Sequence, residues 1–206
     1  MARPPDADSA ETYERILDAA LDEVCATVPR NGISMRKVAT RAGVSLGTLQ
    51  YYFEHKTGLL EACLDAYYER LDALGRSLVA QAAQEPEGDV SVLVAHAVRS
   101  FYDFIHAERP LIELRRVTNA LRGEPHRSDR FLSHVIAAAA EALTPRVALS
   151  SADLRLSILS AEAIIVRMAL IGDNEREALT GLTGDEADAA IRTHAVTAAL
   201  RLLQPT

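Results

Sequence analysis

Apolar residues recur at helical spacing along nearly the whole chain, and alternating β-branched and aromatic runs between turns are absent, so the pattern predicts an all-α protein. A first helix is expected from Asp8 or Ser9, with Glu11 as capping-box partner of Asp8 and an apolar face of Tyr13, Ile16, Leu17, Ala20, Leu21 and Val24. Pro29, Asn31 and Gly32 should end it. Ser34 suits the N-cap of a short second helix, with Met35, Val38, Ala39 and Ala42 on one face and Gly43 as its stop. Ser45 then caps a third short helix carrying Leu49 and Phe53. Two capped helices joined at a glycine within about twenty residues make a helix-turn-helix arrangement.

A long amphipathic helix follows His55-Lys56-Thr57-Gly58, with Leu59, Leu60, Cys63, Leu64, Tyr67, Leu71, Leu74 and Leu78. Beyond a turn at Glu85–Asp89, helices are expected over Val94–Ile105, Leu111–Leu121, Asp129–Leu143, Ser151 or Asp153 to Ile171, and Thr183 or Asp185 to Leu203, with Gly172-Asp173-Asn174 read as a break. That gives about nine helices: residues 8–56 as an N-terminal three-helix domain and residues 57–206 as a helical C-terminal domain.

Composition narrows the function classes. With 49% hydrophobic and 25% charged residues the 206-residue chain is neither disordered nor low-complexity. Its most apolar stretch, Leu156 to Ile171, is interrupted by Glu162 and Arg167, so no membrane span is expected. The opening residues, Met1-Ala-Arg-Pro-Pro-Asp6, lack the apolar core of a secretory signal. Cys25 and Cys63 are too few for a disulfide framework or a zinc site and read as inert residues on apolar helix faces. The six histidines show no metal-ligand spacing. The expectation is a reduced, cytoplasmic protein without metal or cofactor.

Net charge is −7, but it is unevenly spread. Residues 1–29 carry a local −5, residues 30–56 a local +4, and the remainder −6. The chain's two lysines, Lys37 and Lys56, both lie in the basic window beside Arg30, Arg36 and Arg41. A charge cluster is usually only a solvated face, yet this one coincides with the helix-turn-helix, where basic groups meet nucleic acid.

The run Val38-Ala39-Thr40-Arg41-Ala42-Gly43-Val44-Ser45-Leu46-Gly47-Thr48-Leu49-Gln50-Tyr51-Tyr52-Phe53 resembles the signature VAxxAGVSxGTLYxxF of the tetracycline-repressor (TetR) family of bacterial regulators. Lys56 and Leu59-Leu60 continue the likeness, and Thr12, Arg15-Ile16-Leu17 and Ala19-Ala20 match that family's first helix. The resemblance covers residues 12–64; the rest is similar only in length and helix count. It implies a homodimeric DNA-binding regulator, read as a repressor released from a near-palindromic operator by a small-molecule effector, and not an enzyme. Alternatives are a helical enzyme with an incidental helix-turn-helix, for which no HExxH, phosphate loop or nucleophile triad stands out, and a dimerising interaction protein that has lost DNA binding.

Physical chemistry supports particular contacts. Gly47 permits close approach to a duplex, and the Ser45 and Thr48 hydroxyls at the helix start suit phosphates or base edges. Leu46 and Thr48 are expected to influence which bases are preferred. The Tyr51 and Tyr52 hydroxyls can reach the backbone, Tyr52 in part structurally. Lys56 combines its charge with the dipole of the fourth helix. Ser34, Arg36 and Lys37 flank the backbone from the second helix. The sequence departs from the family twice. The loop Thr27–Ile33 is about one residue longer and carries a proline. Gln50 replaces an aromatic; it could pair with adenine or take a phosphate contact, and the phosphate reading is favoured.

For the C-terminal domain, dimerisation is expected through residues 153–171 and 185–203, as an isologous four-helix bundle. The resemblance implies an effector pocket among the fourth to eighth helices. Its candidate wall is Tyr67, Phe101, Tyr102, Phe104 and Leu114, and its candidate polar anchors are Arg116, His134, Glu162 and Arg167. Glu162, within an apolar stretch, should meet Arg167, another arginine or a ligand. A structural ion pair at the dimer interface is the favoured reading over a ligand contact.

Overall fold

Hydrophobic spacing becomes helix almost everywhere. The computed structural model describes residues 5–27, 33–85, 88–122 and 128–203. Among them are ten helices, α1 (Pro5–Thr27), α2 (Met35–Ala42), α3 (Leu46–Phe53), α4 (Lys56–Gln84), α5 (Val90–Ala107), α6 (Arg109–Arg122), α7 (Ser128–Leu143), α8 (Ser151–Ala169), α9 (Asp173–Thr180) and α10 (Gly184–Leu202), with a 3-10 turn at Thr144–Arg146. No strand occurs among the described residues. None of the described helices is long and apolar enough to cross a membrane.

The chain divides into two compact units. The first contains Met1–Arg70 and Pro110–Glu124, and the second Leu71–Arg109 and Pro125–Thr206. In the first, Ile16, Ala20 and Val24 of α1, Val38 and Ala39 of α2, Leu49 and Phe53 of α3, and Leu59, Cys63 and Leu64 of α4 are buried. Tyr13 stacks on Phe53 with ring centroids 5.0 Å apart. Burying a leucine such as Leu49 contributes roughly 1.5–3 kcal/mol, so this small core rests on few side chains. Val44, in the turn between α2 and α3, is half-buried.

The second unit packs α10 against α5, α8 and α9, and α8 against α5 and α7. Val94, Val98, Tyr102 and Ile105 of α5 are buried with Leu154, Ala161, Ile165 and Ala169 of α8 and Ala187, Ile191, Ala195 and Ala199 of α10. The alanines let the helix backbones approach closely. Two guanidiniums close helix ends here. Arg146 donates to the carbonyls of Ala82 and Glu85 at 2.5 and 3.1 Å, at the C-terminal end of α4. Arg109 donates to the carbonyl of Leu170, just past α8.

Several expectations need correction. α1 starts at Pro5, so Asp8 and Glu11 lie within it and form no capping box at its start. Proline lacks the N–H that a first turn leaves unpaired, so the earlier start is physically cheap. The helix-ending trio Pro29, Asn31 and Gly32 lies outside the described residues. Cys25 is exposed, on the outer side of α1, whereas Cys63 is buried as expected. Burial pushes the Cys63 thiol up to about 12, which keeps it protonated and inert.

α9 departs most from the sequence pattern, in which Gly172-Asp173-Asn174 reads as a break. Its eight residues, Asp-Asn-Glu-Arg-Glu-Ala-Leu-Thr, have no apolar stripe, and the residue they bury is Arg176. That guanidinium donates to Asp188 of α10 at 2.5 Å and to Asp173 in its own first turn. Asp188 also accepts from the Tyr102 hydroxyl at 2.9 Å and from Arg192 at 3.3 Å, and Arg192 reaches Asp103 at 2.8 Å. A charged network thus holds a helix that hydrophobic periodicity does not reveal.

Candidate nucleic-acid interface

The helix-turn-helix is built by local chemistry. Gly43 adopts the left-handed conformation with φ 66°, its N–H donating to the Thr40 carbonyl at 3.2 Å while Val44 N–H reaches the Ala39 carbonyl at 3.0 Å. This closes α2 and turns the chain into α3. A substituted Cβ at Gly43 would meet nothing within 4 Å, so the glycine is required by the backbone and not by packing. The Arg15 side chain adds a bond from α1 to the Ala42 carbonyl at 3.3 Å, which completes the end of α2.

Ser45 caps α3: its hydroxyl oxygen accepts from Thr48 N–H at 2.9 Å, and the two hydroxyls lie 2.8 Å apart. Both groups are therefore engaged within the helix start, which restricts what they can offer a ligand. Ser34 sits half-buried at the N-cap of α2, and its side chain makes no capping bond. Tyr52 is half-buried, with its hydroxyl 3.2 Å from Ser9 Oγ and its ring edge-on to Tyr13. It braces α3 against α1. Tyr51, by contrast, is 81% exposed.

The outward residues of α3 are Gly47, Gln50 and Tyr51, with Leu46 half-exposed. A Cβ at Gly47 would touch only Ser45 Oγ at 3.7 Å, an ordinary contact. The free protein thus has no need of a glycine there. Gly47→Ala is expected to leave thermal unfolding unchanged or slightly improved, since alanine favours helix by up to about 1 kcal/mol. The same substitution should weaken DNA binding in a gel-shift titration if the backbone approaches a duplex at this point.

Positive charge flanks this face. Arg36 and Lys37 lie in the first turn of α2 and Lys56 opens α4, all exposed. Arg36 and Lys56 form no ion pair with any described residue. The Lys37 ammonium lies 3.6 Å from Glu23, a buried carboxylate of α1, and Arg41 lies 3.7 Å from Asp22. These acids escaped the sequence reading because the pairs join residues 14 and 19 positions apart, beyond any helical spacing. All eleven residues expected on DNA (Ser34, Arg36, Lys37, Ser45, Leu46, Gly47, Thr48, Gln50, Tyr51, Tyr52 and Lys56) fall within the first unit.

The effector candidates are divided. Tyr67 and Leu114 are buried in the first unit, where Arg116 is exposed and pairs with Glu113 at 3.1 Å. Phe101, Tyr102, Phe104, His134, Glu162 and Arg167 belong to the second. Arg167 is exposed and pairs with Glu175 of α9 at 2.7 Å; Glu162 is half-buried, and His134 is exposed. Tyr102 is fully buried, and burial, then its bond to Asp188 and that carboxylate's charge, push its hydroxyl up to about 12. Burial works against the Arg176 charge, but the bond to Asp173 and the charges of Asp188 and Asp173 outweigh it and raise the guanidinium above its ordinary value. Arg176, Asp173, Asp188 and Arg192 were not singled out from sequence, because no motif or spacing marks them.

Residues 16–63 match the family described as bacterial regulatory proteins, tetR family. An uncharacterized HTH-type transcriptional regulator encoded in the 5′ region of dhlA in Xanthobacter autotrophicus is 49% identical over 57 residues, 28% of this chain and 28% of that protein. The HTH-type transcriptional repressor KstR of Rhodococcus jostii (strain RHA1) is 41% identical over 70 residues, 32% of this chain and 31% of KstR. The likeness to these curated relatives therefore spans under a third of their length. The fold is shared more widely. A protein of Mesorhizobium loti MAFF303099, assigned to the tetR family of transcriptional regulators, superposes with a TM-score of 0.65 at 19% identity, covering 95% of this chain and 96% of the other.

Proposed function

We propose, from the match of residues 16–63 to the tetR family of bacterial regulatory proteins, that the chain is a cytoplasmic, homodimeric repressor that binds a near-palindromic operator and leaves it when a small molecule binds. The observation that carries this reading is the outward face of α3: a glycine, an exposed amide and an exposed tyrosine, flanked by the exposed cations Arg36 and Lys56, which form no ion pair with any described residue. The 81% exposed Tyr51 and the small Gly47 leave this face of α3 open to a major groove. In this reading residues 8–56 dock on DNA, and residues 57–206 dimerise and hold the effector.

Dimerisation through residues 153–171 and 185–203 is supported by Leu156 and Leu159, which are 61% and 40% exposed on α8 while Leu154, Ala161 and Ile165 fill its own core. Two copies burying that face would hold the α3 helices in successive grooves, roughly 34–36 Å apart. An effector can release DNA only by favouring a dimer whose α3 helices no longer match that spacing.

The test incubates the full chain with genomic fragments and sequences what is retained. Enrichment of near-palindromic sites is expected, with a dimer by light scattering at micromolar concentration and a shift toward monomer in Leu156→Glu. Retention without sequence enrichment, or a wild-type monomer, would overturn this reading.

A further inference from the structure

Sequence discrimination in a major groove is strongest where one side chain makes two hydrogen bonds to one base: arginine or lysine to guanine, asparagine or glutamine to adenine, a carboxylate to cytosine. The helix α3 reads Leu-Gly-Thr-Leu-Gln-Tyr-Tyr-Phe, and Gln50 is its sole side chain from that set. The other polar groups of α3 have single hydroxyls. Thr48 is tied to Ser45 at 2.8 Å and Tyr52 lies 3.2 Å from Ser9, which leaves Tyr51 exposed. Gln50 is exposed and makes no hydrogen bond with any described residue, so both ends of its amide are available.

Its surroundings favour the floor of a groove. Residues three apart share a helix face, so Gln50 lies on the same face of α3 as Gly47. A Cβ at Gly47 would meet only Ser45 Oγ, at 3.7 Å, so this face of α3 is open beside Gln50. The cations suited to phosphate lie on either side, at the starts of α2 and α4. A neutral amide on a phosphate adds neither charge nor counterion release, and it would leave α3 with no two-bond reader at all.

We infer that Gln50 reads an adenine in each operator half-site, its Oε1 accepting from the N6 amino group and its Nε2 donating to N7. The inference rests on the DNA-binding reading above and reverses the expectation that Gln50 takes a phosphate contact. It follows that an A·T pair, and not a G·C pair, is the position at which α3 discriminates most sharply.

The experiment selects binding sites for the full chain from a random-sequence duplex library, repeats the selection with Gln50→Ala, and measures affinities by fluorescence anisotropy. Wild type should fix an A·T pair in each half-site that Gln50→Ala alone no longer selects. Changing that pair to G·C should weaken wild-type binding by roughly 5- to 150-fold, and 7-deazaadenine, which removes only the N7 acceptor, should weaken it by part of that factor. Gln50→Ala should be insensitive to both changes, with an unaltered salt dependence and, since its side chain is unbonded, unaltered thermal unfolding. A variant weakened equally on all sequences with base preferences intact would overturn the inference in favour of phosphate contact. Neutral 7-deazaadenine at every half-site adenine would also overturn it. Failure of the wild type to enrich any sequence would instead overturn the DNA-binding reading, and this inference with it.

Discussion

DNA binding by the dimer is expected to weaken by roughly a thousandfold as salt rises from about 50 to about 200 mM. Arg36, Lys37 and Lys56 offer three cations per protomer to the phosphates, hence six per dimer. Each neutralised phosphate releases condensed counterions, so log affinity should fall against log salt with a slope of about −5. The overall charge of −7 does not oppose this at working ionic strength, since exposed charges more than about 8–10 Å away are screened. Lys56→Ala removes one such contact from each half-site and should flatten the slope by roughly two units per dimer, weakening binding to all sequences about equally. Lys37→Ala should do less, because its ammonium already shares its charge with Glu23 at 3.6 Å. Anisotropy titrations at several salt concentrations read all three, and an unchanged slope in Lys56→Ala would exclude docking through the start of α4.

Replacing Arg176 with methionine is expected to lower stability by about 3 kcal/mol in urea unfolding, near the lower end of what breaking a buried ion pair costs. The Arg176 side chain is 8% exposed and that of Asp188 23%, so removing the guanidinium leaves a largely buried carboxylate with Tyr102 and Arg192 as its partners among the described residues. The loss should concentrate in α9, which buries no other residue. Amide hydrogen exchange should accelerate over Asp173–Thr180 before it does in α5 or α10. Arg176→Lys should fall between the two proteins, because an ammonium keeps the charge but cannot present a planar fork to Asp173 and Asp188 together. Equal stability of Arg176→Met and wild type would mean that packing, and not the charged network, holds α9.

The two expectations depend on different kinds of information, and so did the reading of the sequence. Elements governed by near neighbours were legible. The glycine stop at Gly43, the Ser45 cap and the start of α4 at Lys56 all follow from interactions within four or five positions. Their outcome is fixed by backbone stereochemistry and helical periodicity wherever the segment lies. The family likeness is legible for the same reason, being confined to a contiguous run whose spacing is the geometry of the turn itself.

Elements governed by distant partners were not legible. α9 is a helix because Arg176 reaches Asp188 across a gap of twelve residues, and Tyr102 meets that carboxylate from 86 residues away. Cys25 lies among apolar neighbours in sequence yet faces outward, since which side of α1 is covered depends on where α2 to α4 come to rest. Glu23 and Lys37 are unremarkable until α1 and α2 are packed. The sequence by itself determined the helices other than α9, the glycine stop of α2 and the Ser45 cap of α3, because each is settled by local bonding and spacing. Only the tertiary structure decided which charges are neutralised, which cysteine is buried and why α9 exists, because electrostatic and burial energies depend on through-space separation, which sequence order does not specify.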